Sequence, residues 1–216
     1  MNILLWHVHG SWTTAFVQGK HTYYLPVLPD RGPHGRGRAQ TWNWPPSAVE
    51  IAPEQIKSLQ LDAVIFQRPE EYVELSERWF VPKHSTKAFY VEHNCPQGRI
   101  NEMRHPAAGD PHITVVHVTH FNDLFWDCGV ARTTVIEHGV VDPGYRYTGE
   151  LPRGAIVVNE PVRRARVTGT DLLARFAEAA PLDLFGMQLD RLAGPRIATH
   201  ENLPQAQLHE ELPRRR

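Results

Sequence analysis

Short apolar runs, broken by Gly, Pro and polar turns, recur along the whole chain. Residues 2–8, 22–28, 62–67, 87–92, 113–118 and 133–137 read as strands, and 113–118 is rich in β-branched residues, the pattern of a strand buried on both faces. Helical spacing alternates with them. Pro53 opens a short helix carrying Ile56 and Leu59. Pro69, with Glu70 and Glu71 in the first turn, opens a second whose Tyr72, Leu75, Ser76 and Trp79 share one face. Thr119 caps a third, where Phe121, Leu124, Phe125 and Cys128 recur before Gly129 stops the helix. Residues 12–17 read only weakly as a helix or turn.

This alternation predicts an α/β fold with a Rossmann-like, doubly wound parallel sheet over residues 1–140. Residues 141–154, with Pro143, Gly144, Gly149, Pro152 and Gly154, have linker composition. Beyond them the alternation restarts: a strand at 155–159, a helix at 171–180, a strand at 182–185 and a last helix at 204–212. Residues 155–216 therefore read as a second Rossmann-like domain, incomplete in its elements. Too few helices follow to cover its sheet, so Leu172, Leu173, Phe176, Leu182, Leu184 and Phe185 are expected to form an apolar patch. Pairing with a second copy of the chain, or local disorder, would relieve it.

Charge and composition narrow the function classes. A net charge of −1 gives the chain no overall attraction to nucleic acid or to an anionic membrane. No apolar run approaches the roughly 20 residues of a membrane span. His7 and His9 interrupt the apolar start, which reads as a strand and not a signal peptide, so the expected compartment is the cytoplasm. Cys95 and Cys128 lack metal-ligand spacing, and no metal motif is present.

Candidate chemistry gathers at strand ends, because ligands of open α/β sheets sit beyond the carboxyl ends of the strands. Gly10 and Ser11 leave the first strand; they do not form a dinucleotide fingerprint. His93 and Asn94 end the strand at 87–92, and His93 is the candidate for contacting a substrate hydroxyl or moving a proton. His120 serves either helix capping or the site, while His117 reads as a core histidine. His138 and Gly139 follow the strand at 133–137. Arg163, Arg164 and Arg166 lie between a strand end and a helix start, where guanidinium forks and free N–H groups favour a phosphate group. The Gly- and Arg-rich residues 30–38 lack the lysine and the strand–loop–helix context of a P-loop, and read as an exposed, mobile loop.

With these residues in view the chain resembles retaining glycosyltransferases of the GT-B architecture, in the class of the glycogen-synthase-like and mannosyltransferase enzymes. The matching pieces are Ile-Leu-Leu-Trp-His-Val-His-Gly-Ser-Trp at 3–12, Val-Glu-His-Asn-Cys-Pro at 91–96, Val-His-Val-Thr-His-Phe at 116–121, Val-Ile-Glu-His-Gly-Val-Val-Asp at 135–142, and the segment 158–171, all in the expected order. The resemblance implies an acceptor-side first domain and a second domain that holds a nucleotide-diphosphate sugar, with no other cofactor and no tightly held metal. It implies that Gly10 and Ser11 lie near the reacting sugar, that His93 is among the acceptor-side groups, and that residues 163–166 lie over the donor diphosphate. The acceptor would be a glycan or a small molecule. The family's second domain continues into a segment whose paired glutamates hold the donor; this chain reaches Arg216 without one, and Glu210 and Glu211 lie in a different context. The expected protein is thus a hexosyl-transferring enzyme with a shortened donor domain. A non-catalytic glycan- or partner-binding module of the same descent is the alternative, and an unrelated nucleotide-binding protein using Gly10 and Ser11 alone is a third reading.

Overall fold

The computed structural model describes residues Met1–Arg216, which divide into two compact units, Met1–Val141 and Asp142–Arg216. In the first unit the chain runs β1 (Asn2–Leu5), α1 (Gly10–Phe16), β2 (Thr22–Pro26), β3 (Ala48–Ile51), β4 (Ala63–Phe66), a π-helical turn (Glu71–Leu75) leading into α2 (Ser76–Arg78), β5 (Lys87–Glu92), β6 (Ile113–His117), α3 (His120–Phe125) and β7 (Arg132–Val135). The strands form one seven-stranded sheet in the order β3-β2-β1-β4-β5-β6-β7, and every neighbouring pair is parallel. The expected α/β, Rossmann-like sheet is present.

The strands read as continuous apolar runs because both faces of the sheet carry core. On one face Leu4, Trp6, Val64, Phe66, Tyr90 and Val115 pack with Tyr72, Leu75 and Trp79 from the helical segment after β4. Trp6 stacks on Phe66 and on Trp79, with ring centroids 5.7 and 6.0 Å apart. On the other face Ile3, Leu5, Ile65, Val91 and Val116 meet Trp12 and Val17 from α1 and its end. The chain builds outward from β1 to β3 on one side and from β4 to β7 on the other. β1 and β4 therefore flank the switch point, where their carboxyl ends open a crevice.

The second unit contains β8 (Gly154–Val157), α4 (Pro161–Arg164), α5 (Leu173–Ala179), β9 (Leu182–Gly186), β10 (Ile197–Glu201) and α6 (Gln205–Glu211). Its sheet is parallel, in the order β10-β9-β8. Alternation along β9 explains its core. Leu182 and Leu184 point to Leu173 and Ala177 of α5. On the opposite face Phe185 stacks on His200 at 4.5 Å and lies under the Arg215 guanidinium at 5.1 Å. Buried Asp183 is bound by Arg153 Nε at 2.6 Å and by buried Arg215 Nε at 2.8 Å.

Three expectations change here. Of the predicted apolar patch only Leu172 and Phe176 stay exposed, because α5, His200 and Arg215 cover the rest. Part of the segment read as a linker is tied into the second unit, with the N–H groups of Thr148 and Gly149 donating to Pro213 O and that of Leu151 to Arg214 O. The 30–38 loop is pinned: Arg31 donates both terminal nitrogens to Glu50 at 2.8 and 2.9 Å, and Arg38 donates to the carbonyls of Trp44 and Pro45. No helix is long and apolar enough to cross a membrane.

Candidate functional site

β1 delivers His7, Val8 and His9 to the crevice, and α1 begins at once with Gly10 and Ser11. Thr13 anchors this start by donating its N–H and its hydroxyl to His9 O, each at 2.9 Å. A side chain at Gly10 would meet Trp42 Nε1 at 3.1 Å, so the glycine lets the indole approach the first turn. Ser11 is exposed.

β4 ends next to β1 and delivers Gln67 and Arg68. The Gln67 side chain donates to Trp6 O at 2.7 Å and meets His93 Nε2 through its oxygen at 3.1 Å. Glu71, fully buried at the start of the π-helical turn, accepts from Gln67 N and from Arg68 Nε, both at 2.8 Å. Burial pushes this carboxyl up to about 7, against the Arg68 charge and the backbone N–H. Arg68 also donates to Pro33 O at 2.8 Å.

β5 delivers Glu92, His93 and Asn94. His93 packs against His9, ring centroids 4.0 Å apart, and edge-on against Trp12 at 5.4 Å. Its pKa is pushed down to about 3, first by burial and then by His9 and His138. His9 is lowered as well, chiefly by burial, with Glu92 opposing. At neutral pH the pair is therefore two neutral imidazoles, which removes the repulsion that two imidazolium rings would suffer. Buried Glu92 accepts from Asn94 N at 2.7 Å and lies 3.3 Å from His105 Nε2. Asn94 O accepts from Trp126 Nε1 at 2.7 Å, which fixes the chain leaving β5.

The remaining candidates separate. His138 is exposed and close enough to His9 and His93 for its charge to matter. His120 is exposed in the first turn of α3, whose cap is the Thr119 hydroxyl accepting from Asn122 N at 3.1 Å. Gly139 lines a different feature, an apolar hollow of about 520 Å³ on the sheet face beside Ile3, Ile65, Phe89, Val91 and Val116. That hollow is lined mainly by apolar side chains, whereas the convergent polar groups are at His9, Gln67 and His93, and polar groups are what orient a ligand. We therefore place the candidate site at the strand ends.

The arginine segment differs from its expected geometry. Pro161–Arg164 is itself a helical turn, so Arg163 and Arg164 occupy its last positions, and Arg166 follows in a 3₁₀ turn. The helix start expected after the arginines is present, with a 3₁₀ turn at Thr170–Leu172 running into α5, so the arginines lie between one helical turn and the next. Carboxylates also flank them: Arg163 pairs with Glu160, and Arg166 Nε lies 3.9 Å from Asp171. Arg164 is exposed and takes no ion pair.

Strand-end reasoning names Gly10, Ser11, His93 and Asn94, includes His9 and Glu92 only as their neighbours, and passes over Gln67, Arg68 and Glu71. The same rule applied to β4 would have marked Gln67 and Arg68, since they follow Phe66 as Gly10 follows β1. No group of three or more His, Cys, Asp or Glu side chains is arranged to hold a metal ion. Comparisons with protein families, with curated proteins and with solved structures return no match to this chain.

Proposed function

We propose that the protein is a retaining glycosyltransferase of the GT-B type, taking a sugar from a nucleotide-diphosphate donor, with His93 contacting the acceptor hydroxyl. One observation carries the reading: a neutral, half-buried imidazole held against His9 and Gln67 where β1, β4 and β5 end. A neutral imidazole orients and polarises a hydroxyl without drawing an anion into its place. It has no second proton to give near pH 7, so in this reading His93 is an acceptor-side group and not a general acid. Arg164 is the member of the arginine segment open to a diphosphate, and its fork suits two phosphate oxygens.

The second reading is a non-catalytic glycan-binding module. The carboxylate partners of Arg163 and Arg166 favour it, because they occupy charge that a donor diphosphate would need.

Isothermal titration with a set of nucleotide-diphosphate sugars separates the two. The enzyme reading expects saturable binding, weakened in Arg164→Ala by about 1.5–3 kcal/mol, the range for a hydrogen bond to a charged group. Arg164→Lys should restore only part of it, since a point charge does not reproduce the fork. Binding of a glycan with no binding of any nucleotide sugar would favour the module.

A further inference from the structure

Gln67 is 4% exposed, and its amide is held at both ends. One end lies 2.7 Å from Trp6 O. A backbone carbonyl only accepts, so the NH₂ group must be at that end. The amide oxygen is thereby turned to His93 Nε2 at 3.1 Å. An amide oxygen also only accepts, so this hydrogen bond requires the proton on Nε2. A neutral ring has one such proton, which leaves Nδ1 with a free lone pair. Nδ1 bonds to no protein group and is absent from the buried unpartnered atoms, so it is open to solvent. The backbone of Gln67 is fixed in turn by its N–H donating to buried Glu71 at 2.8 Å.

We infer that Gln67 is a positioning residue that fixes His93 in the Nε2–H tautomer, so that the site takes a ligand presenting a hydroxyl donor, and not an anionic oxygen, to His93 Nδ1. The identity of that ligand as a carbohydrate rests on the function proposed above; the tautomer does not. The depressed pKa of His93 agrees with a ring that stays neutral. A phosphate or carboxylate oxygen at Nδ1 would set lone pair against lone pair.

Histidine side-chain ¹⁵N spectra of the ligand-free protein at neutral pH test this directly. Wild type should show one tautomer for His93, with Nδ1 unprotonated and a ring N–H on Nε2 protected from solvent exchange. Gln67→Leu, which removes the acceptor, should lose that N–H signal to exchange. A proton on Nδ1, averaging between tautomers in wild type, or an N–H signal unchanged in folded Gln67→Leu would overturn the role of Gln67. If Gln67→Leu does not fold, the wild-type spectrum decides. Methyl glucoside, methyl mannoside and glucuronate then probe the ligand. A shift of Nδ1 with a neutral glycoside is the expected result, and a larger shift caused by the glucuronate carboxylate would overturn the hydroxyl preference. Silence with all three would overturn the carbohydrate reading alone, because the ligand-free spectrum has already decided the tautomer.

Discussion

The behaviour of His93 is set by its neighbours more than by its own chemistry. Burial, His9 and His138 hold its folded pKa at about 3, against 6.5 for an ordinary histidine. Between those values the unfolded chain takes up a proton that the folded protein refuses, so this group makes stability rise with pH across the window and fall as pH drops through it. Above pH 6.5 it adds no pH dependence. Urea denaturation of wild type and His93→Gln from pH 4 to 7 should therefore show the steeper acid-side loss in wild type, Glu71 acting alike in both. Equal slopes, or a His93 ring titrating near 6.5, would contradict the assigned environment. A strand-end position made His93 legible in the sequence. Its partners were not, because His9 and Gln67 lie far from His93 in the chain and meet it only through the pairing of β1 with β4 and β4 with β5. Gln67 reads as the last residue of a buried strand until Trp6 is placed beside it.

Elements were legible where both faces of a strand or one stripe of a helix is apolar. β4 and β6 show this; of α3 only the Thr119 cap was read correctly, because the helix ends at Phe125 and not at Gly129 and leaves Phe121 and Leu124 exposed. Thr119→Ala should cost about 1 kcal/mol by removing the acceptor of the Asn122 N–H, and Thr119→Ser should cost little. Denaturant midpoints at constant slope check this; an unchanged midpoint in the alanine variant would mean that packing alone starts the helix. β3 and β10 escaped the sequence reading for the opposite reason. Both are edge strands that mix polar with apolar residues, β10 having no fully buried position, so neither forms a continuous apolar run. The helix start expected after the arginines is present at residues 170–179, but Pro161 starts an additional helical turn before Arg163. Proline is well suited to a first helical position, and that places the basic residues at the turn's end.

At the scale of the molecule, the strand–helix alternation made the parallel sheet of the first unit legible, and the switch point between β1 and β4 follows from its strand order. The second unit was harder to read, because a charged group carries much of its packing. Nothing in the local sequence announces that Arg215 lies buried on Asp183 and over Phe185, so the apolar side chains there were expected to be bare. The functional claim rests on the histidine site of the first unit. The measurement that tests it most directly is release of nucleoside diphosphate from nucleotide-diphosphate sugars in the presence of glycan acceptors, taken together with thermal melts, for wild type and His93→Ala. The account predicts turnover in wild type and a loss of roughly 10²–10⁴-fold in the variant while it stays folded at the assay temperature. Absence of turnover with every donor, or residual activity in His93→Ala that only tracks the folded fraction, would contradict it.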